Sequence, residues 1–139
     1  MFRAIIGAVL AGIFTALESS VNSQLGKEVS PSIATLHSLI TGTILMTTIS
    51  ILRGSYTRYI KIFQVSPVWL IGGFFGAIII YLSSKAIPTL GVSKTLTLIL
   101  ASQVLTGVII DTSVNHMGFD IYKIFGVLFL LLGANLIIR

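Results

Sequence analysis

The sequence predicts an all-α integral membrane protein of about five transmembrane helices joined by short loops, and three observations carry that reading. Only 9% of the 139 residues are charged and 55% are hydrophobic, whereas a soluble domain carries about 25% charged residues. A water-exposed surface cannot be clothed from so few charges, and the mean hydropathy is +1.03. Apolar runs long enough for a bilayer's hydrocarbon, roughly 20 residues each, alternate with short polar breaks. These runs lack the two-residue alternation of barrel strands, and in lipid every backbone group must pair within its own segment, so helices remain. The expected organisation is one membrane-embedded domain over 1–139.

The first span is expected over 2–22. It follows Arg3 like a signal peptide, but equally apolar runs come after it and no clean small-residue cleavage site ends it, so it reads as a membrane helix. A polar turn at 24–28 follows, with Gly26 suited to a helix C-cap. Pro31 then opens a second span over 31–52, because a proline's missing N–H is harmless in a first helical turn. Arg53 and Gly54 stop it, and the stretch 53–66, with Tyr56, Arg58, Tyr59 and Lys61, is a long polar connection expected at a membrane surface. Pro67 opens a third span over 67–87, with Trp69 where an indole prefers the headgroup level, and Pro88 and Gly91 are expected to close it. The fourth and fifth spans are expected over 92–110 and 122–138. Connections this short make neighbouring helices antiparallel.

Several function classes fall away. The formal charge of +5 is scattered among apolar segments with no basic stripe, so no nucleic-acid partner is expected; the cations read as interfacial anchors. Without cysteine, thiol nucleophiles, thiolate metal sites and disulfides are excluded. The titratable candidates Glu18, Glu28, Asp111, Asp120, His37 and His116 make no catalytic motif. His116 and Asp120 are spaced i, i+4, but a metal needs three or four ligands, and beside Gly118 they read as a polar loop. Neither an enzyme, a metal nor a cofactor is expected.

Polar groups inside the spans point towards solute handling. With Arg3 and Lys27 as the interfacial ends of the first span, the midpoint is (3 + 27)/2 = 15, which puts Glu18 three residues beyond it, roughly 4.5 Å. A carboxylate so deep costs about 2.5–3.5 kcal/mol on insertion scales and normally faces a bundle interior or aqueous cavity. Gly7, Ala11, Thr15, Glu18 and Asn22 recur at three- or four-residue steps on one face. Glu18 and Asn22 are therefore candidate solute- or proton-binding residues, the alternative being a carboxyl that only ties helices together. His37 lies in the second span beside Ser38 and Thr41, where a neutral imidazole bonding a neighbouring helix is the competing role. Gln103, Gly107 and Asp111 form a stripe on the fourth span, with Gln103 the deeper polar group, and Tyr81 and Ser84 are placed to line a cavity.

Small residues mark expected packing faces. Gly72, Gly73 and Gly76 cluster on the third span, while Gly126 and Gly133 stand one heptad apart on a bulky fifth span and suggest a dimer face. Shifting the chain against itself by 65 residues pairs spans one and two with three and four, with ten identities over positions 6–44, or 44 − 6 + 1 = 39 pairs. Gly7/Gly72, Ser19/Ser84, Gly26/Gly91 and Gly42/Gly107 are among them. This is a weak two-helix internal echo of the kind transporter folds are built from.

Asn22 with Leu25 and Gly26, Ser30 and Pro31 followed by Ala34 and Gly42, PVWLIGGFFGA at 67–77, Pro88 with Leu90 and Gly91, then Gln103, Asp111, Gly126 and Gly133 follow one another in a distinctive order. In these pieces the chain resembles, from end to end, the YdcZ-type small proteins of the drug/metabolite transporter superfamily. The resemblance implies a multi-pass bacterial inner-membrane exporter of about five helices, working as paired half-size units. The chain departs from that pattern in the residues between Asp111 and His116, and in carrying Glu18 where a glutamine or other polar residue is common. Proton coupling therefore rests on the carboxylate itself and on analogy with four-helix multidrug exporters that use a first-helix glutamate.

The function expected is secondary transport, exporting a small polar or cationic solute in exchange for protons at Glu18. A scaffold or accessory subunit without transport, and a passive pore, are the alternatives. With five spans, Arg3, Arg53, Arg58, Lys61 and Lys123 fall on one side and Lys27, Lys85, Lys94 and Arg139 on the other, a bias of 5 − 4 = 1. So small a bias fixes no single orientation and predicts dual topology, with an antiparallel homodimer in the bilayer.

Overall fold

The computed structural model describes residues 1–113 and 121–139. Among them no strand occurs, and the elements in order are α1 (Phe2–Glu28), α2 (Pro31–Leu52), a 3-10 helix over Tyr56–Gln64, a 3-10 turn over Pro67–Ile71, α3 (Gly72–Leu90), α4 (Val92–Ser113) and α5 (Ile121–Ile138). With the 3-10 turn joined to α3, five helical segments among the described residues are long and apolar enough to cross a membrane. The protein is an all-α membrane protein. The pair His116 and Asp120 lies outside the described residues.

Several ends differ from the sequence expectation, each for a local reason. Helix α1 does not stop at 22 but continues through Gly26 to Glu28. At 27 residues it is about 40 Å long, more than the roughly 30 Å of hydrocarbon, so its polar last turns reach the headgroups. Gly26 is thus inside the helix rather than its cap, and Pro31 packs over it: a Cβ there would stand 3.4 Å from the Pro31 Cα, an ordinary van der Waals distance. Val29 closes α1 with its N–H on the Leu25 carbonyl, and Ser30 caps α2 by accepting from the Ile33 N–H at 3.2 Å. Pro88 does not end α3, which runs on to Leu90. One missing N–H near a helix end is tolerated in lipid, and the chain turns at Gly91, with φ 84.

Helix α2 ends in a Schellman motif. Gly54 takes φ 64 and donates to the Ile51 carbonyl at 2.9 Å, while the Ser55 N–H reaches the Ser50 carbonyl at 2.9 Å. These two bonds satisfy carbonyls that the helix end would otherwise leave open. They also turn the chain directly into the Tyr56–Gln64 segment.

The chain falls into two compact units, Met1–Thr89 and Leu90–Arg139. In both, the usual soluble-protein arrangement is reversed: apart from Ile87, the buried residues are small, hydroxylated or amide-bearing, and most bulky apolar ones face outward. In the first unit Ser19, Asn22, Ser23 and Gly26, at steps of three and four, form the buried stripe of α1, and Ala34 and Thr35 that of α2. Phe14, Leu17 and Val21 on the same helix are exposed. Lipid tails are as apolar as leucine, so bulky side chains gain nothing by turning inward, and close backbone approach through small residues holds the helices instead. The expected stripe from Gly7 to Thr15 lies above this contact and is exposed.

The second unit is the α4–α5 hairpin, where Thr95, Ala101 and Ala134 are buried. It is pinned at both ends. Lys94 Nζ donates to the Ile138 carbonyl at 2.7 Å, placing a cation at the C-terminal end of α5 where the helix dipole favours it. Lys123 Nζ stands 3.5 Å from Asp111 Oδ2 at the other end. Several other helix hydroxyls bond back to their own preceding turn, as Thr41 does to His37, Thr48 to Ile44 and Ser83 to Ile79, which removes an unpaired donor from hydrocarbon, whereas Ser23 Oγ and Ser84 Oγ are buried without a partner among the described residues.

Backbone geometry separates the glycines experimentally. Gly54→Ala and Gly91→Ala, both at positive φ, are expected to lose about 1–2 kcal/mol each. Gly26→Ala meets only ordinary van der Waals distances and should lose nothing, since alanine is the better helix former. Thermal unfolding of the three variants in one detergent reads the difference; equal losses at all three would contradict it.

Candidate functional site

The first unit encloses a partly open cavity of about 800 Å³, within the range of small-molecule sites. Helix α2 supplies most of its wall. Leu39, Thr43, Met46, Thr47 and Ser50 recur at steps of three and four, so one face of α2 presents three hydroxyls interleaved with two apolar side chains. Ser55, Tyr56 and Tyr59 enter from beyond the Schellman motif, and Ile80 enters from α3. Glu18 comes from α1 and is the charged side chain of the lining.

A short relay fixes that carboxylate. Asn22 Nδ2 donates to Ser38 Oγ at 3.2 Å, and Ser38 Oγ in turn donates to Glu18 Oε1 at 3.1 Å. Asn22 is buried, Ser38 half-buried and Glu18 exposed to the cavity side. The direction follows from chemistry: an amide N–H₂ can only donate, which leaves the single hydroxyl proton of Ser38 for the carboxylate. Glu18 is thereby held as an acceptor on one oxygen, while among the described residues its Oε2 bonds nothing. A carboxylate anchored on one side and open on the other can take either a proton or a cationic group.

Glu18 and Asn22 are thus brought together through Ser38, which neighbours His37 in the sequence. Ser38 carried a signal that periodicity could have found: it stands four residues before Gly42, and both line the cavity beside the hydroxyl face of α2. Thr43, Thr47 and Ser50 repeat the same period. His37 does not join them. Its side chain is exposed, and its carbonyl accepts from Thr41 at 2.8 Å. Tyr81 follows the cavity residue Ile80 but is itself outside the lining and exposed. Gln103 belongs to the second unit and is exposed there. Among the described residues, a Cβ at Gly72, Gly73, Gly76, Gly126 or Gly133 would meet nothing within 4 Å, so their faces are open within the single chain.

Among the described residues, five helices long and apolar enough to cross a membrane, an outward apolar surface and a mostly apolar cavity bordered by one carboxylate define a multi-pass membrane protein. The chain belongs to the family described as "Putative inner membrane exporter, YdcZ", whose profile matches residues 3–136. It is accordingly an inner-membrane, multi-pass member of an exporter family. Neither curated proteins nor solved structures gave a match to the chain.

The relay predicts non-additive energetics. Asn22→Ala and Ser38→Ala should each cost about 0.5–1.5 kcal/mol in detergent, the range of inter-helix hydrogen bonds in membranes. Because they share one hydroxyl, the double variant should cost less than the sum. Strict additivity in a double-mutant cycle would show that the two side chains do not act through each other.

Proposed function

We propose that the chain is a proton-coupled exporter of small cationic or polar solutes, in which proton and solute compete for Glu18. The observation that carries this reading is the placement of Glu18: one charged side chain on a cavity of about 800 Å³, bonded through Oε1 to Ser38. Family membership supports export. The lining supports the solute class, since Thr43, Thr47 and Ser50 offer neutral hydrogen bonds while Tyr56, Tyr59 and Met46 offer aromatic and polarisable surface. Such walls suit a cation that carries apolar bulk. A proton arriving from one side neutralises Glu18 and releases the cation; its departure on the other side restores the acceptor. Asn22 and Ser38 keep the carboxylate oriented through both states.

In the proposed assembly two oppositely inserted copies form an antiparallel homodimer, with one Glu18 from each near a shared path. Support comes from the nearly balanced basic residues, five against four, and from the open face around Gly126 and Gly133 on α5.

Two experiments test these readings. In proteoliposomes with an imposed pH gradient, Glu18→Gln is expected to abolish uphill solute movement while leaving the fold intact by circular dichroism. Uphill transport at the parental rate would make Glu18 structural. Gly126→Leu with Gly133→Leu is expected to yield monomers in detergent, and C-terminal reporters active on one side only should give signal on both sides of the membrane. A dimer that persists unchanged would place its interface elsewhere, and one clean orientation would reject dual insertion.

A further inference from the structure

The Tyr56–Gln64 segment is a 3-10 helix of nine residues, and three residues per turn sort its side chains into three stripes. Tyr56, Tyr59 and Ile62 form the first, of which both tyrosines line the cavity and Ile62 is half-buried. Thr57, Ile60 and Phe63 form the second, where Ile60 is 71% and Phe63 85% exposed. Arg58, Lys61 and Gln64 form the third, and all are exposed. Arg53, at the end of α2, adds another cation just before the segment.

The charge pattern is one-sided. Between Glu28 and Asp111 the sequence contains no acidic residue. Among the described residues the side chains of Arg53, Arg58 and Lys61 make no ion pair. The segment also joins α2, which leaves the membrane at Leu52, to the span that re-enters at Pro67, so it lies at one bilayer surface. A helix with one apolar exposed stripe beside one basic stripe fits a lipid–water boundary.

We infer that residues 53–64 form a binding site for anionic phospholipid headgroups. Arg53, Arg58 and Lys61 engage the lipid phosphate while Ile60 and Phe63 enter the acyl boundary. The first stripe then stays on the cavity side, so a lipid bound here holds Tyr56 and Tyr59 over the cavity mouth. That last consequence rests on the proposed transport role; the lipid site itself does not.

Trp69, the one tryptophan of the chain, is 78% exposed and follows the segment closely, which makes it a local reporter. The full chain would be reconstituted in phosphatidylcholine vesicles containing a tenth of brominated lipid, either phosphatidylglycerol or phosphatidylcholine. Each basic residue near an anionic surface strengthens association about five-fold, so brominated phosphatidylglycerol should be enriched next to Trp69 on the order of ten-fold over its bulk fraction and quench correspondingly more. The excess should vanish in the Arg53→Gln, Arg58→Gln, Lys61→Gln variant and shrink at high salt in the parental protein. Equal quenching by the two lipids in the parental protein overturns the proposal whether or not the variant folds. An excess that survives in a folded variant overturns it too. None of these readings depends on transport, so an inactive protein with selective quenching would contradict the exporter mechanism and leave the lipid site standing.

Discussion

One hydroxyl group joins the two helices on which the cavity depends. In a bilayer, apolar side chains have no reason to leave lipid for one another, so α1 and α2 are held by close contact of small residues and by what polar groups can do across the seam. Ser19, Ser23, Gly26 and Ala34 provide the close contact. Ser38 provides the polar link, taking a hydrogen bond from Asn22 and giving its own to Glu18. Without that link the carboxylate has no fixed direction, and α2 has less reason to present its Thr43, Thr47 and Ser50 face towards it. The cost of keeping a carboxylate in the membrane is thus tied to one specific helix pairing.

The class of fold was legible in composition, because a chain with 9% charged residues can be stable only where lipid replaces water around most of its surface. Helix starts were legible as well: Pro31 and Pro67 open their segments, and Ser30 caps α2. Helix ends were less so. Gly26 and Gly91 occupy equivalent places in the 65-residue echo, yet Gly26 lies within α1 against Pro31 while Gly91 turns the chain at positive φ. A glycine can serve either close approach or a left-handed turn, and local sequence does not tell which.

For the site, Glu18 and Asn22 stood out because polar residues in an apolar run are costly. Ser38 did not, since a serine in a membrane helix can satisfy itself on its own backbone, as Ser83 does with Ile79. Only packing reveals that Ser38 spends its hydroxyl on the neighbouring helix. Tyr56 and Tyr59 were visible as surface residues but not as cavity residues, because their reach depends on the Schellman turn at Gly54 and on three-residue stacking in the segment that follows. The same turn that ends α2 therefore shapes the mouth of the cavity.

The central claim, that Glu18 borders a water-accessible cavity rather than lipid, is open to one direct measurement. The chain has no cysteine, so a single cysteine can be placed by Thr43→Cys or Thr47→Cys on the cavity wall, or by Leu45→Cys on the exposed face between them. Each would be exposed to a cationic, membrane-impermeant methanethiosulfonate in native membranes, and modification would be read by mass spectrometry. The account predicts rapid modification at positions 43 and 47, slower when Glu18 is also changed to Gln, and none at position 45. Failure to modify either wall position, or equal modification at all three, would contradict it.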